Sequence, residues 1–205
     1  MKALRIYDNI SELLGDEKKR FFSNGYKLVN HEIQDFYFNE ENREGMGEVK
    51  IKYNEAFAQK GNSSLKAHFT TLDLLVLANY TCEKIIESQF ICSFEDCWFN
   101  RIRISTLGSS TDLNENILKF KVNVNDIEIC EEGYRVDFVT IASNLKIECS
   151  AYINGELSEN PKSINIDEKV LLQDTSIGKR LTMAIRKIEE TYINPSAQYI
   201  VSKIS

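Results

Sequence analysis

The sequence predicts an α+β fold: a curved antiparallel sheet of about six strands wrapped around one long buried helix, with a further helix near the C-terminus. Three observations predict it. Residues 70–88 hold an apolar run that covers nearly every side of a helix, and a helix of that kind is buried on most sides. Six stretches alternate apolar and polar residues with the period of a strand. The helical run falls between the second and third of these stretches. A helix on a flat sheet would keep a polar stripe, so the sheet is expected to curl around this one.

Each element has its own signal. Residues 10–22 carry Ile10, Leu13, Leu14, Phe21 and Phe22 among charges and read as a short helix closed by Asn24-Gly25. In residues 26–38 the alternation puts Val29, His31, Ile33 and Tyr37 on one face, with Asn30, Glu32 and Gln34 on the other. The polar, glycine-containing stretch 40–47 reads as a hairpin loop. A second strand follows, in which Val49, Ile51 and Tyr53 alternate with Lys50 and Lys52. After a polar loop at 58–67, Thr70 is a natural N-cap. Asp73 falls at the third position of a capping box, where glutamate is usual.

The strands after the helix follow the same logic. Trp98, Ile102 and Ile104 alternate with Arg101 and Arg103, and Leu118, Phe120, Val122 and Val124 alternate with Lys119, Lys121 and Asn123. The phase slips at Asp126 to give Ile127 and Ile129, which predicts a bulge. Residues 134–142 and 145–153 form a pair joined at Ser143-Asn144. Beyond them, residues 164–172 give no clear signal. Leu181, Ala184, Ile185, Ile188 and Tyr192 stand at helical spacing before Asn194-Pro195, and predict an amphipathic C-terminal helix. The order of elements is that of a hot-dog arrangement, with a cystatin-like roll as the competing layout. The expected organisation is a hot-dog-like domain over residues 1–156 and an extension over 157–205 whose helix packs on it.

Composition narrows the class. The chain has 205 residues, a 42% hydrophobic and 27% charged composition, and a net charge of -6, which argues against a nucleic-acid partner. The apolar run is too short for a membrane span and contains Asp73 and Glu83, and the first ten residues lack a signal-peptide core, so a cytoplasmic protein is expected. The five cysteines (Cys82, Cys92, Cys97, Cys130 and Cys149) are odd in number and lack a CxxC pair. Reduced thiols and no metal are therefore expected, and no cofactor motif is present.

Few residues carry chemistry. His68 stands two positions before the N-cap, with Asp73 in the first helical turn. A carboxylate that holds an imidazole's tautomer at a helix N-terminus makes a general acid/base pair, and the helix end favours a developing anion. The competing reading is that Asp73 only caps the helix. His31 lies on the apolar face of the first strand, as a candidate substrate contact or a satisfied core residue. Arg101 and Arg103 stand about 7 Å apart on one strand face, with Trp98 nearby. They are candidates to grip a phosphate or carboxylate, or else they form a solvated face.

The stretch from His68 to Ala78, HFTTLDLLVLA, resembles the avirulence D (AvrD) family. So does the opening, Ile10 to Leu14 followed by Arg20-Phe21-Phe22-Ser23-Asn24-Gly25-Tyr26-Lys27. Leu74 stands where the family has a small residue. The resemblance implies an enzyme of signal or secondary-metabolite biosynthesis, which joins a β-ketoacyl chain from an acyl carrier or acyl-CoA type thioester to a sugar-derived alcohol. The layout is also similar to hot-dog dehydratases and thioesterases, where a histidine before the long helix works with an acidic residue. The glycine and proline usual after the dehydratase histidine are missing here. By that analogy His68 and Asp73 are the catalytic residues and the protein is a homodimer, while Arg101, Arg103, Trp98 and His31 are the expected substrate-binding residues. The alternative is a non-catalytic binding protein for an acyl or small polar ligand.

Overall fold

In the computed structural model the described residues are 29–53, 59–60, 63–64, 67–92, 97–108, 117–172, 188–194 and 199–204. The expected helix over 10–22 and the motif residues 20–27 lie outside them. Two compact units divide the chain, Met1–Leu172 and Gln173–Ser205.

In the first unit, strands β1 (Asn30–Asn39) and β2 (Glu44–Lys52) lead to the short pair β3 (Gln59–Lys60) and β4 (Ser63–Ser64), and then to helix α1 (Thr71–Gln89). Strand β5 (Phe90–Ile91) follows the helix at once. The long strands β6 (Cys97–Thr106), β7 (Ile117–Cys130), β8 (Gly133–Ala142) and β9 (Leu145–Ile153) come next, and then the short β10 (Glu156–Leu157), β11 (Ile164–Ile166) and β12 (Val170–Leu172). An eight-stranded antiparallel sheet runs β11-β1-β2-β7-β8-β9-β6, with β12 also paired to β1. The six expected strands are all present. The two additional ones come from 164–172, where three-residue strands are too short for their alternation to register in the sequence.

The helix is enclosed as its composition requires: only Thr71 and Glu87 are exposed along it. Leu74, Leu77, Ile85 and Ile86 are buried with Phe36, Phe120, Phe138 and Ile147 of the sheet. Tyr80 meets Phe36 edge to face, with ring centroids 6.2 Å apart. Among the described residues no helix is long and apolar enough to cross a membrane.

Three local expectations need correcting. Asp35 takes a left-handed φ of 49° and the β1–β2 register shifts between Gln34 and Tyr37. The bulge turns Phe36 and Phe38 inward and leaves Tyr37, expected to share a face with His31, 43% exposed. Residues 40–47 are not one loop: only the turn between Asn39 and Glu44 is, and Gly45-Met46-Gly47 lies within β2. In β6 the register shifts between Phe99 and Arg101, so Trp98 leaves the face of Ile102 and Ile104. The bulge expected at Asp126 is present, as a register shift between Val124 and Asp126.

The second unit contains a hairpin of β13 (Ile188–Asn194) and β14 (Tyr199–Ile204). The C-terminal helix expected from Leu181 to Tyr192 is therefore a strand from Ile188 onward, and its first half lies outside the described residues. Helical spacing in a short apolar run does not exclude a strand. The residues of this stretch include the β-branched Ile188, Thr191, Ile193, Ile200 and Val201.

Candidate functional site

The site is built at the N-terminus of α1. Thr70 takes an extended conformation (φ -109°, ψ 166°) and caps the helix. The Asp73 amide donates to Thr70 Oγ1 over 3.3 Å, and the Thr70 amide donates to Asp73 Oδ2 over 2.7 Å. This is the expected capping box, with aspartate doing glutamate's work. Thr70 Oγ1 also donates to the same Oδ2, over 2.6 Å.

The cap occupies only one side of the carboxylate. Oδ1 lies 2.7 Å from His31 Nε2, in a pair with 3% and 1% exposure. Strand β1 carries His31 on the inner face of the sheet, opposite Ile51 of β2 and Leu172 of β12. Tyr53 follows the end of β2 and donates its hydroxyl to Asp73 Oδ2 over 2.8 Å. Burial first, and the Asp73 charge second, push the Tyr53 phenol far up, so it stays a proton donor.

This geometry sets the histidine tautomer. Asp73 accepts from the Thr70 amide, the Thr70 hydroxyl and the Tyr53 hydroxyl, and as a carboxylate it also accepts from His31. Nε2 therefore carries hydrogen, and in the neutral ring Nδ1 keeps a free lone pair. Among the described residues Nδ1 has no hydrogen-bond partner although it is buried. An oriented imidazole with one bare nitrogen is chemically able to accept a proton.

Of the six residues singled out in the sequence, His31 and Asp73 are brought together. His68 lies exposed on the approach to the helix, while Asp73 bonds to His31, Tyr53 and Thr70. Arg101, Arg103 and Trp98 stand on β6, with β2, β7, β8 and β9 between it and β1 in the sheet order. Trp98 stacks on Tyr152 at a centroid distance of 5.7 Å. Arg103 Nε lies 3.9 Å from Glu148, which also accepts from Lys146 over 2.7 Å. The hydrogen bond from Lys146, joined by the charges of Lys146 and both arginines, holds the Glu148 carboxyl below the usual carboxylate range. The outer surface of β6 and β9 is thus a basic patch beside two stacked aromatic rings.

Tyr53 is a site residue that the sequence does not single out. The signal was its phase, because the Val49, Ile51, Tyr53 alternation places it on the face of His31's partner Ile51. Among the described residues no group of three or more His, Cys, Asp or Glu side chains is set to hold a metal ion.

Comparison with known proteins gives one finding. A family model described as Pseudomonas avirulence D protein (AvrD) matches residues 5–150. No curated protein and no solved structure matches this chain.

Proposed function

Because the chain belongs to the AvrD family, we propose that it is a biosynthetic enzyme in which the His31–Asp73 pair is the general base for a reaction between a β-ketoacyl thioester and a sugar-derived alcohol. The observation that carries this reading is the buried 2.7 Å pair, with His31 Nδ1 unpaired among the described residues. Nδ1 takes the proton of the attacking hydroxyl or of the acidic α-carbon, and Asp73 stabilises the imidazolium that forms. Burial keeps bulk water from the base, so only a group brought to it is deprotonated. The amino end of α1 lies beside the pair, where its dipole favours an oxyanion. One helix on the inner face of an antiparallel sheet also supports a hot-dog reading of the fold and, by analogy alone, an acyl-thioester substrate.

In this reading Arg101, Arg103 and Trp98 meet the carrier or its phosphate, away from the reacting group. Arg101→Ala with Arg103→Ala then raises KM and leaves kcat nearly unchanged.

The decisive variant is His31→Gln. Glutamine is able to donate to Asp73 but supplies no base. The expected result is loss of turnover, by about 100-fold or more, with the melting temperature nearly kept. The assay follows thiol release from a β-ketoacyl carrier thioester in the presence of a sugar alcohol. Full activity in His31→Gln with loss in His68→Ala would move the base to His68. A wild-type chain that retains an acyl ligand in native mass spectrometry without turning it over would indicate a binding protein.

A further inference from the structure

The sequence yields no CxxC pair, yet folding creates two close pairs of thiols. Cys82 and Cys149 lie with Sγ atoms 3.9 Å apart, and Cys92 and Cys97 with theirs 4.0 Å apart. The separations are alike but the environments are opposite. Cys82 and Cys149 are 0% and 4% exposed, between α1 and β9, and burial pushes the Cys82 thiol well up. Both sulfurs of that pair are enclosed by the core and shielded from an oxidant, which makes it the less reactive of the two. Cys92 and Cys97 are only partly buried, within reach of a small oxidant.

The backbone explains why this second pair meets. Cys97 opens β6 in register with Ile153, the last residue of β9. Two residues on, Gly155 lies against Cys92, and a Cβ at Gly155 would stand 2.6 Å from Cys92 Cβ. Only glycine lets the chain leaving β9 pass under Cys92, and that passage puts Cys92 beside Cys97.

We propose that Cys92 and Cys97 are a redox-sensitive thiol pair that closes reversibly to a disulfide and clamps the segment after α1 and β5 to the start of β6. With a disulfide oxidant such as oxidised glutathione, one thiol loses its proton and attacks a glutathione sulfur. It forms a mixed disulfide and releases one reduced glutathione. The second thiol attacks the mixed disulfide at the protein sulfur, forms the Cys92–Cys97 bond and releases the second glutathione. Two protein thiols are oxidised and one glutathione disulfide is reduced. The proposal is independent of the catalytic reading.

The test equilibrates the full chain with graded ratios of oxidised to reduced glutathione, with and without denaturing urea. Each sample is then alkylated and peptide-mapped. The native chain should give a Cys92–Cys97 cross-link at ratios that leave Cys82 and Cys149 free for alkylation after unfolding. Its equilibrium constant should exceed that of the urea-denatured chain by about tenfold or more, because the fold holds the thiols together. Cys97→Ser should trap glutathione on Cys92 and abolish the cross-link. An equal or smaller constant in the native chain, or native cross-links distributed among other cysteines, would overturn the proposal.

Discussion

The two oxygens of Asp73 face different partners, and the helix cap and the contact with His31 do not compete. Oδ2 serves Thr70 and Tyr53, while Oδ1 serves His31. An asparagine has one acceptor and one donor end, so one flip of Asp73→Asn points an NH₂ at the Thr70 and Tyr53 donors, and the other turns it to His31 Nε2 and forces the opposite tautomer, which leaves Nδ1–H buried without an acceptor among the described residues. Asp73→Asn is expected to cost about 1–3 kcal/mol through that unsatisfied contact, read as a lower urea midpoint, and to lose activity as well. Tyr53 adds a pH dependence. Its phenol is raised in the folded state, first by burial and then by Asp73, above the ordinary value of 10.0. The unfolded chain therefore releases this proton near pH 10 while the folded chain keeps it, so its contribution is complete below pH 10 and declines as pH rises above it. Tyr53→Phe should make stability fall less steeply with pH above 10 than in the wild type. Superimposable slopes would mean that the hydroxyl does not lie against Asp73. The cap was legible in the sequence because Thr70 and Asp73 are three positions apart and local spacing fixes their geometry. The histidine was not, because His31 and Asp73 are 42 positions apart and only strand register and helix placement decide which imidazole arrives.

At the scale of elements, period-two patterns located the long strands, and bulges decided what they could not. Asp126 showed in the sequence because the apolar phase visibly shifts there. Asp35 did not, because Phe36, Tyr37 and Phe38 are all aromatic and either phase reads as apolar. The bulge sends Phe36 inward to stack on Phe120, with centroids 5.8 Å apart. Space for that stack comes from Gly47, where a Cβ would lie 2.7 Å from Phe120 Cζ. The glycines of β2 are thus packing residues of a strand. Gly47→Ala should destabilise the chain by about 1–3 kcal/mol through overpacking, measured by chemical denaturation. Phe120→Leu in the same chain should recover part of the loss, because the two changes share one contact.

Over the whole molecule, the site depends on strands that the sequence did not assign. The expected boundary fell after residue 156, but β11 and β12 bring residues 164–172 back along β1, and the first compact unit runs to Leu172. These strands cover the β1 backbone from His31 to Ile33 and from Phe36 to Phe38, and Leu172 pairs with His31 itself. A chain ending at Leu172 retains every strand of the main sheet. A chain ending at residue 156 exposes the β1 edge beside the His31–Asp73 pair and leaves its backbone groups to water. The shorter chain should melt at a lower temperature than the longer one. Amide exchange should then rise first along β1, with residues 31–38 losing protection before β8 and β9. If the acid/base reading holds, activity should fall further than stability, because the strand that loosens carries the base. Equal melting temperatures for the two truncations, with β1 still protected, would show that β11 and β12 do not hold His31 in place.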